Sequence, residues 1–196
     1  MWSRLFEKKF VFFVLLLTLI PSICFGVEYT LDKGSNMFGI TAGLINASGD
    51  LYEDEEGNSS TTLLIMPSLA HFFVPKFGFG GDLLLLHSKQ GDEGTSTLGL
   101  GPKAMFFFGG KDSKSYPYIT LGFYYVRNTI DYGKYDQTDS GTRFKFGGGV
   151  SIMIATHLGL LMEASYNLDN LKREGAKKSR SGNMLIVSMG LAGFTF

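Results

Sequence analysis

Five charged residues lie in segments that are otherwise rich in apolar residues and glycine. They are Asp82, Lys103, Arg143, Lys145 and Glu163. Opposite charges of this kind can form buried ion pairs, line a path for ions, or supply an acid and a base for catalysis. An unpaired charge inside a protein is expensive, so we favour paired charges that fill an interior. A narrow polar path for small ions is the next interpretation, and a catalytic dyad is the last.

The histidines are the other candidates for proton transfer. They are His71, His87 and His157. His87 would be a candidate base, and Ser88, which follows it, a candidate nucleophile. The next acids, Asp92 and Glu93, belong to a polar loop rather than a regular element. We therefore predict that the protein is not an enzyme.

No motif predicts a cofactor, a metal or nucleic acid. The segment Gly109-Gly110-Lys111-Asp112 fails as a phosphate-binding loop because Asp112 replaces the required Ser or Thr. No group of residues has metal-ligand spacing. The 18 basic residues balance the 18 acidic ones, so no bulk charge points to nucleic acid.

Residues 142–168 show which elements position these side chains. Apolar residues alternate with small or polar ones, which predicts paired strands with one apolar face. A three-residue turn that places Ile154 opposite Leu158 keeps both apolar faces on one side, whereas a two-residue turn would mismatch them. The resulting register pairs Arg143 with Asp169, Lys145 with Asn167 and Gly149 with Glu163.

The same alternation predicts eight strands. They cover residues 36–46, 61–73, 77–87, 97–108, 116–127, 142–154, 158–168 and 182–196. Long polar loops are expected at residues 47–60, 88–96, 128–141 and 169–181. The last strand is apolar on both faces, which indicates a bulge or a partly apolar interior. The strand lengths match the roughly 9 to 11 tilted residues that cross a bilayer.

The N-terminus predicts export. Basic residues precede an apolar stretch at residues 10–20, which is too short to cross a bilayer as a helix. We expect cleavage after Gly26, so that residues 1–26 are a signal peptide and residues 27–196 form the barrel. A lipoprotein signal that uses Cys24, the only cysteine, is the less favoured alternative.

The composition of the two strand faces predicts that the apolar face meets lipid. A water-soluble barrel would carry many charges on its outer face, but here the second face is mostly Gly, Ser and Thr, and most charges lie in loops. Aromatic residues cluster toward strand ends, as in the girdles of membrane barrels. The girdle residues are Phe73, Phe77, Phe106, Phe108, Phe194 and Phe196 near the short turns, and Tyr125, Phe144 and Tyr166 near the long loops.

The strand layout over residues 27–196 resembles the small outer-membrane barrels of the OmpA/OmpX type. The segment Gly159-Leu-Leu-Met-Glu163-Ala-Ser-Tyr166 and the terminal residues Phe194 and Phe196 carry the resemblance, the latter as a C-terminal signal for the barrel-assembly machinery. The resemblance implies an all-β protein: an eight-stranded antiparallel up-and-down transmembrane β-barrel of meander topology in the bacterial outer membrane. Expected partners are outer-membrane lipid, lipopolysaccharide and the assembly machinery, and the expected state is a monomer.

Three functions follow as hypotheses. The first is a barrel with a filled polar lumen and a structural or surface-interaction role through its outer loops. The alternatives are a small passive pore for ions or small solutes, and a lipid A-modifying enzyme that uses His87 at the outer rim. The acidic loop at 47–60 and the basic loop at 169–181 are expected to be solvated, to attract each other, or to bind divalent cations and lipopolysaccharide phosphates respectively.

Overall fold

The computed structural model describes residues 31–48, 60–90, 93–109, 113–131 and 136–195. Eight antiparallel strands form a closed barrel in which each strand pairs with the next and the last pairs with the first. The strands are β1 Asn36–Ser48, β2 Ser60–Val74, β3 Phe77–Gln90, β4 Glu93–Phe107, β5 Ser115–Asp131, β6 Asp136–Ala155, β7 Leu158–Arg173 and β8 Ser179–Thr195. Closure satisfies every strand edge, and the predicted fold class is confirmed. The predicted signal peptide and Cys24 lie outside the described residues.

The end of the barrel opposite the short turns is called the outer end. The strands there are longer than predicted. β5 continues to Asp131, β7 continues to Arg173, and β8 begins at Ser179, so much of the expected loops at 88–96, 128–141 and 169–181 is strand. Above a bilayer the outer face of a strand meets water and becomes polar, while inner-face residues such as Asp169 and Leu171 stay buried and the sheet continues. The polar composition that predicted loops therefore marks the end of the membrane rather than the end of the strands.

The β6–β7 hairpin has the predicted register but a different turn. Arg143 pairs with Asp169 and Gly149 with Glu163, as expected. The turn has two residues, and the register shifts between Met153 and Ala155. The prediction of a three-residue turn was wrong, because the strand irregularity absorbs the extra residue and keeps the two faces matched.

The outer surface is an apolar band bounded by aromatic rings. Leu100, Phe123 and Phe146 are among the large apolar side chains that point outward and are exposed. Near the short turns, the Phe106 and Phe108 rings stack edge to face with centroids 5.0 Å apart. A surface so apolar is unstable in water but stable in hydrocarbon, so the barrel spans a membrane. Within the described ranges, no helix has the length and apolar character that a membrane span needs.

Phe194 is an exception to the predicted girdle. It points into the barrel, where it is buried in a cluster that includes Phe72 and Phe107. The pairing of β8 with β1 and β7 runs without a register shift, so Met184, Ile186 and Phe194 all face inward. The interior is therefore partly apolar and no bulge is present in these pairings. Phe196 lies outside the described residues.

The interior side chains form layers along the barrel axis. At the short-turn end an apolar cluster includes Met37, Phe72 and Phe107. Toward the outer end, Leu64 and Ile186 belong to a second apolar cluster. A third and smaller one contains Tyr124, Val126 and Leu171. The charged residues occupy the level between these apolar layers.

Candidate functional site

All five charged residues singled out in the sequence point into the barrel. They lie on strands β3, β4, β6 and β7, and each is buried or nearly so. The two-residue period of the strands places them there, because their neighbours along each strand carry the apolar outer face. We call this set and its partners the charged layer.

The centre of the charged layer is an alternating chain of charges. The Lys103 Nζ lies 2.7 Å from Asp82 Oδ1. The Lys145 Nζ lies 3.8 Å from Asp82 Oδ2 and 2.7 Å from Glu163 Oε1. The two short contacts are ion pairs by distance rather than aligned hydrogen bonds. Lys145 thus joins two carboxylates that belong to strands on different sides of the lumen.

Two tyrosines of β5 complete the coordination of these carboxylates. The Tyr124 hydroxyl donates to Asp82 Oδ2 at 2.7 Å. The Tyr118 hydroxyl donates to Glu163 Oε2 at 3.2 Å. Neither tyrosine is predicted from the sequence to lie at the site. Their position on the small-residue face of β5 was the available signal.

Glycine provides the space in which these tyrosines lie. A Cβ atom on Gly122 would overlap the ring of Tyr124, and one on Gly149 would meet the ring and hydroxyl of Tyr118. Tyr118 is directly opposite Gly149 in the β5–β6 pairing. The glycines on the inner face therefore allow the large phenols to lean across the wall toward the carboxylates.

A second ion pair lies nearer the outer end. Arg143 Nε donates to Asp169 Oδ1 at 2.6 Å, and Arg143 Nη2 donates to Asp169 Oδ2 at 2.6 Å. Both side chains are buried, which makes this a bidentate pair shielded from water. The predicted register places Asp169 opposite Arg143, but the polar sequence around Asp169 predicts a loop and does not identify it as an interior charge.

The charged layer is electrically balanced. Its carboxylates are Asp82, Glu163 and Asp169, and its cations are Lys103, Arg143 and Lys145. Each acid has at least one cationic partner within ion-pair distance. Within the described ranges, no group of three or more His, Cys, Asp or Glu side chains is arranged to hold a metal ion. The arrangement fills space and cancels charge.

The histidines lie apart from the charged layer and from one another. His71 packs on Phe73, a residue of the girdle near the short turns, with ring centroids 4.7 Å apart. His157 lies in the short β6–β7 turn. His87 is exposed on the outer wall, where its Nδ1 lies 3.1 Å from Ser96 Oγ. The structure thus pairs His87 with Ser96 on the neighbouring strand β4.

Two of the segments considered in the sequence fall outside the described residues. They are most of the acidic loop, at residues 49–59, and residues 110–112 of the glycine-rich turn. The basic segment after Asp169 is described, and its strand portions carry Lys172 and Arg180.

No protein-family model matches this chain, and no curated protein matches it. Its structure is similar to that of Neisserial surface protein A, with a TM-score of 0.64 and 20% identity over 82% of this chain and 99% of that one. It is similar to OprG of Pseudomonas aeruginosa, with a TM-score of 0.53 and 12% identity over 84% and 98%. It is also similar to Ail of Yersinia pestis in complex with a heparin analogue, with a TM-score of 0.50 and 13% identity over 81% of this chain and 99% of that one. The fold is that of small outer-membrane barrels.

The fold and the apolar band agree on where the chain resides. Closed up-and-down barrels with an apolar band between aromatic girdles are the form in which β-proteins cross the bacterial outer membrane. The exposed outward-facing side chains of this barrel form such a band. The chain is therefore a bacterial outer-membrane β-barrel.

Proposed function

We propose that this protein is a monomeric outer-membrane barrel with a sealed lumen, which serves the structure or surface interactions of the envelope and is not an enzyme. The observation that carries the proposal is the charged layer, which is electrically neutral and fills the lumen between apolar layers. An eight-stranded barrel has an interior only wide enough for its own side chains. A passing ion would have to separate the buried pairs and then cross the apolar clusters.

The expected partners follow from the outer surface. The apolar band contacts outer-membrane lipid, and the polar strand ends above it meet lipopolysaccharide. The barrel-assembly machinery inserts the chain, with its C-terminal segment, which contains Phe194 and Phe196, as the recognised signal. Closure leaves no unpaired sheet edge for a second copy, which favours the monomer.

The strands that extend above the bilayer provide the surface for interactions. A barrel of this fold, Ail, has been seen in complex with a heparin analogue, which supports a surface-binding role.

A passive pore for ions or small solutes is the alternative, and it draws on the polar middle of the lumen. The enzyme hypothesis rests on the contact between His87 and Ser96. A hydroxyl and an imidazole also require a third group that orients the base. In the described part of the chain, no carboxylate hydrogen bonds to His87. We therefore keep the pore as the first alternative and the lipid A-modifying enzyme as the second.

Two measurements test the proposal. Cell fractionation is expected to place the protein in the outer membrane, with a gel band that shifts on boiling, and a soluble unshifted protein would overturn the barrel. In planar bilayers we expect no steady conductance from the wild type. A steady conductance that disappears in Lys145→Met would show that ions pass through the charged layer and would overturn the sealed lumen.

A further inference from the structure

Two clefts on the outer wall of the barrel share one arginine, Arg127. The first is a cleft of about 430 Å³ whose lining includes Tyr125, Arg127, Ser140, Lys172, Arg173 and Glu174. The second is a groove of about 660 Å³ whose lining includes Arg127, Ile65, Leu85, Leu98, His87 and Ser96. Arg127 thus lies between a mostly apolar groove and a polar cleft.

The strand register fixes the spacing of the cations. Arg127 pairs with Ser140 on β6, and Ser140 pairs with Lys172 on β7. The three residues form one row across three strands, so the two cations stand roughly 10 Å apart at their Cα atoms. The small Ser140 between them leaves room above it. An arginine and a lysine at this spacing can converge on one anionic group.

The two cations have no ion-pair partner among the residues that the structure describes. Within the described ranges, neither Arg127 nor Lys172 forms an ion pair, whereas Arg173 lies 3.7 Å from Asp139 Oδ1. Glu174, which is exposed, also lines the cleft and contributes one negative charge against the three positive charges of Arg127, Lys172 and Arg173. Arg127 and Lys172 therefore give this part of the outer wall a positive charge, and the strands hold their backbones in place.

The position of Arg127 and Lys172 along the barrel axis identifies the layer of the membrane that they contact. Tyr125 precedes Arg127 by two residues on the same outward face of β5 and belongs to the outer aromatic girdle. Girdles lie at the level where hydrocarbon meets headgroups, so Arg127 and Lys172 project into the headgroup layer. In the outer leaflet this layer contains the phosphates of lipopolysaccharide.

We propose that Arg127 and Lys172 form a binding site for a phosphate of the lipid A portion of lipopolysaccharide. The fork of Arg127 and the ammonium of Lys172 donate charge-assisted hydrogen bonds to the phosphate oxygens. The Ser140 hydroxyl lies between them as a third donor. The acyl chains run down the wall past Leu98 and Leu85. The site deepens the proposed function, and it rests on the insertion of the barrel in the outer membrane.

The test uses the mature protein refolded into phosphatidylcholine nanodiscs that contain a small fraction of lipid A. Native mass spectrometry counts the lipid A molecules that stay bound, for phosphorylated and for dephosphorylated lipid A. We expect the wild type to retain the phosphorylated form about tenfold more strongly, the factor that loss of one charge-assisted hydrogen bond pair produces. Arg127→Gln/Lys172→Gln is expected to lose this preference.

The matched control removes the same charge from the same end of the barrel. Lys177→Gln/Lys178→Gln, whose lysines are exposed in the turn between β7 and β8, is expected to keep the preference. Equal losses in both double variants would overturn the site in favour of general electrostatic attraction. Equal retention of the two lipid A forms by the wild type would overturn it without any variant. If the protein fails to insert and shows no heat-shifted band, the proposed function itself fails.

Discussion

Replacing Asp169 by Asn tests whether the lumen is closed to water. The change keeps the size of the side chain and removes its charge. It leaves the Arg143 guanidinium buried without the carboxylate that accepts two hydrogen bonds from it. If water reaches this level of the barrel, the arginine regains hydration and the loss is small. If the lumen is sealed, the arginine has no such compensation.

The burial of the pair sets the expected size of the effect. The Arg143 side chain is 1% exposed and that of Asp169 is 0% exposed. Removing one member of a fully buried ion pair costs about 3–5 kcal/mol, while replacing both members with apolar residues of similar size is often neutral or stabilising. We expect Asp169→Asn to reduce the free energy of unfolding by about 3 kcal/mol or more. The double variant Arg143→Met/Asp169→Leu is expected to recover most of this loss.

The assay is equilibrium unfolding in urea from lipid vesicles, followed by the heat-dependent gel shift. Lys177 provides a control, because its side chain is exposed in the turn between β7 and β8. Lys177→Gln is expected to change stability by less than about 1 kcal/mol, as surface substitutions usually do. If Asp169→Asn also costs less than this, or if the double variant is no better than the single one, the reasoning from a dry lumen is refuted.

Two further predictions concern the wall. Gly122→Ala places a methyl group in the volume of the Tyr124 ring and is expected to destabilise the protein by about 1–3 kcal/mol in the same assay. Gly148→Ala on the outer face is the control and is expected to be tolerated. Equal effects of the two substitutions would show that the ring does not occupy the space above Gly122. Leu121→Lys, on the lipid face near the middle of β5, is expected to cost about 2–4 kcal/mol and Thr142→Lys near the outer rim about 0–1. Indistinguishable lysine variants would argue against a hydrocarbon-facing band.

Local alternation predicted much of the fold and part of the site. The two-residue period decided that Asp82, Lys103 and Lys145 point away from the apolar face, because successive side chains of a strand alternate whatever the strand pairs with. It also predicted the register of β6 and β7, since only one register keeps both apolar faces together. Alternation was uninformative where both faces are apolar, as at Phe194 on β8.

The positions of the strand ends were the second feature that alternation did not predict. The polar neighbours of Asp169 and Lys172 predict a loop, yet both residues lie on β7. Sheet hydrogen bonds continue above the membrane, where the outer face meets water and no longer carries the apolar residues that mark a strand in sequence. Asp169 therefore turns inward as the partner of Arg143, and Lys172 turns outward beside Arg127, in positions that composition alone did not show.

The sequence by itself determined that the chain forms alternating strands, that charges face one side, and that the other side suits lipid. Only the closed barrel decided which charges meet. Lys145 of β6 contacts Asp82 of β3, and Tyr118 of β5 contacts Glu163 of β7, although neither pair belongs to neighbouring strands. Such contacts depend on the curvature and stagger of the whole sheet. These properties arise only when β8 pairs with β1, because the interior does not exist until that pairing closes it.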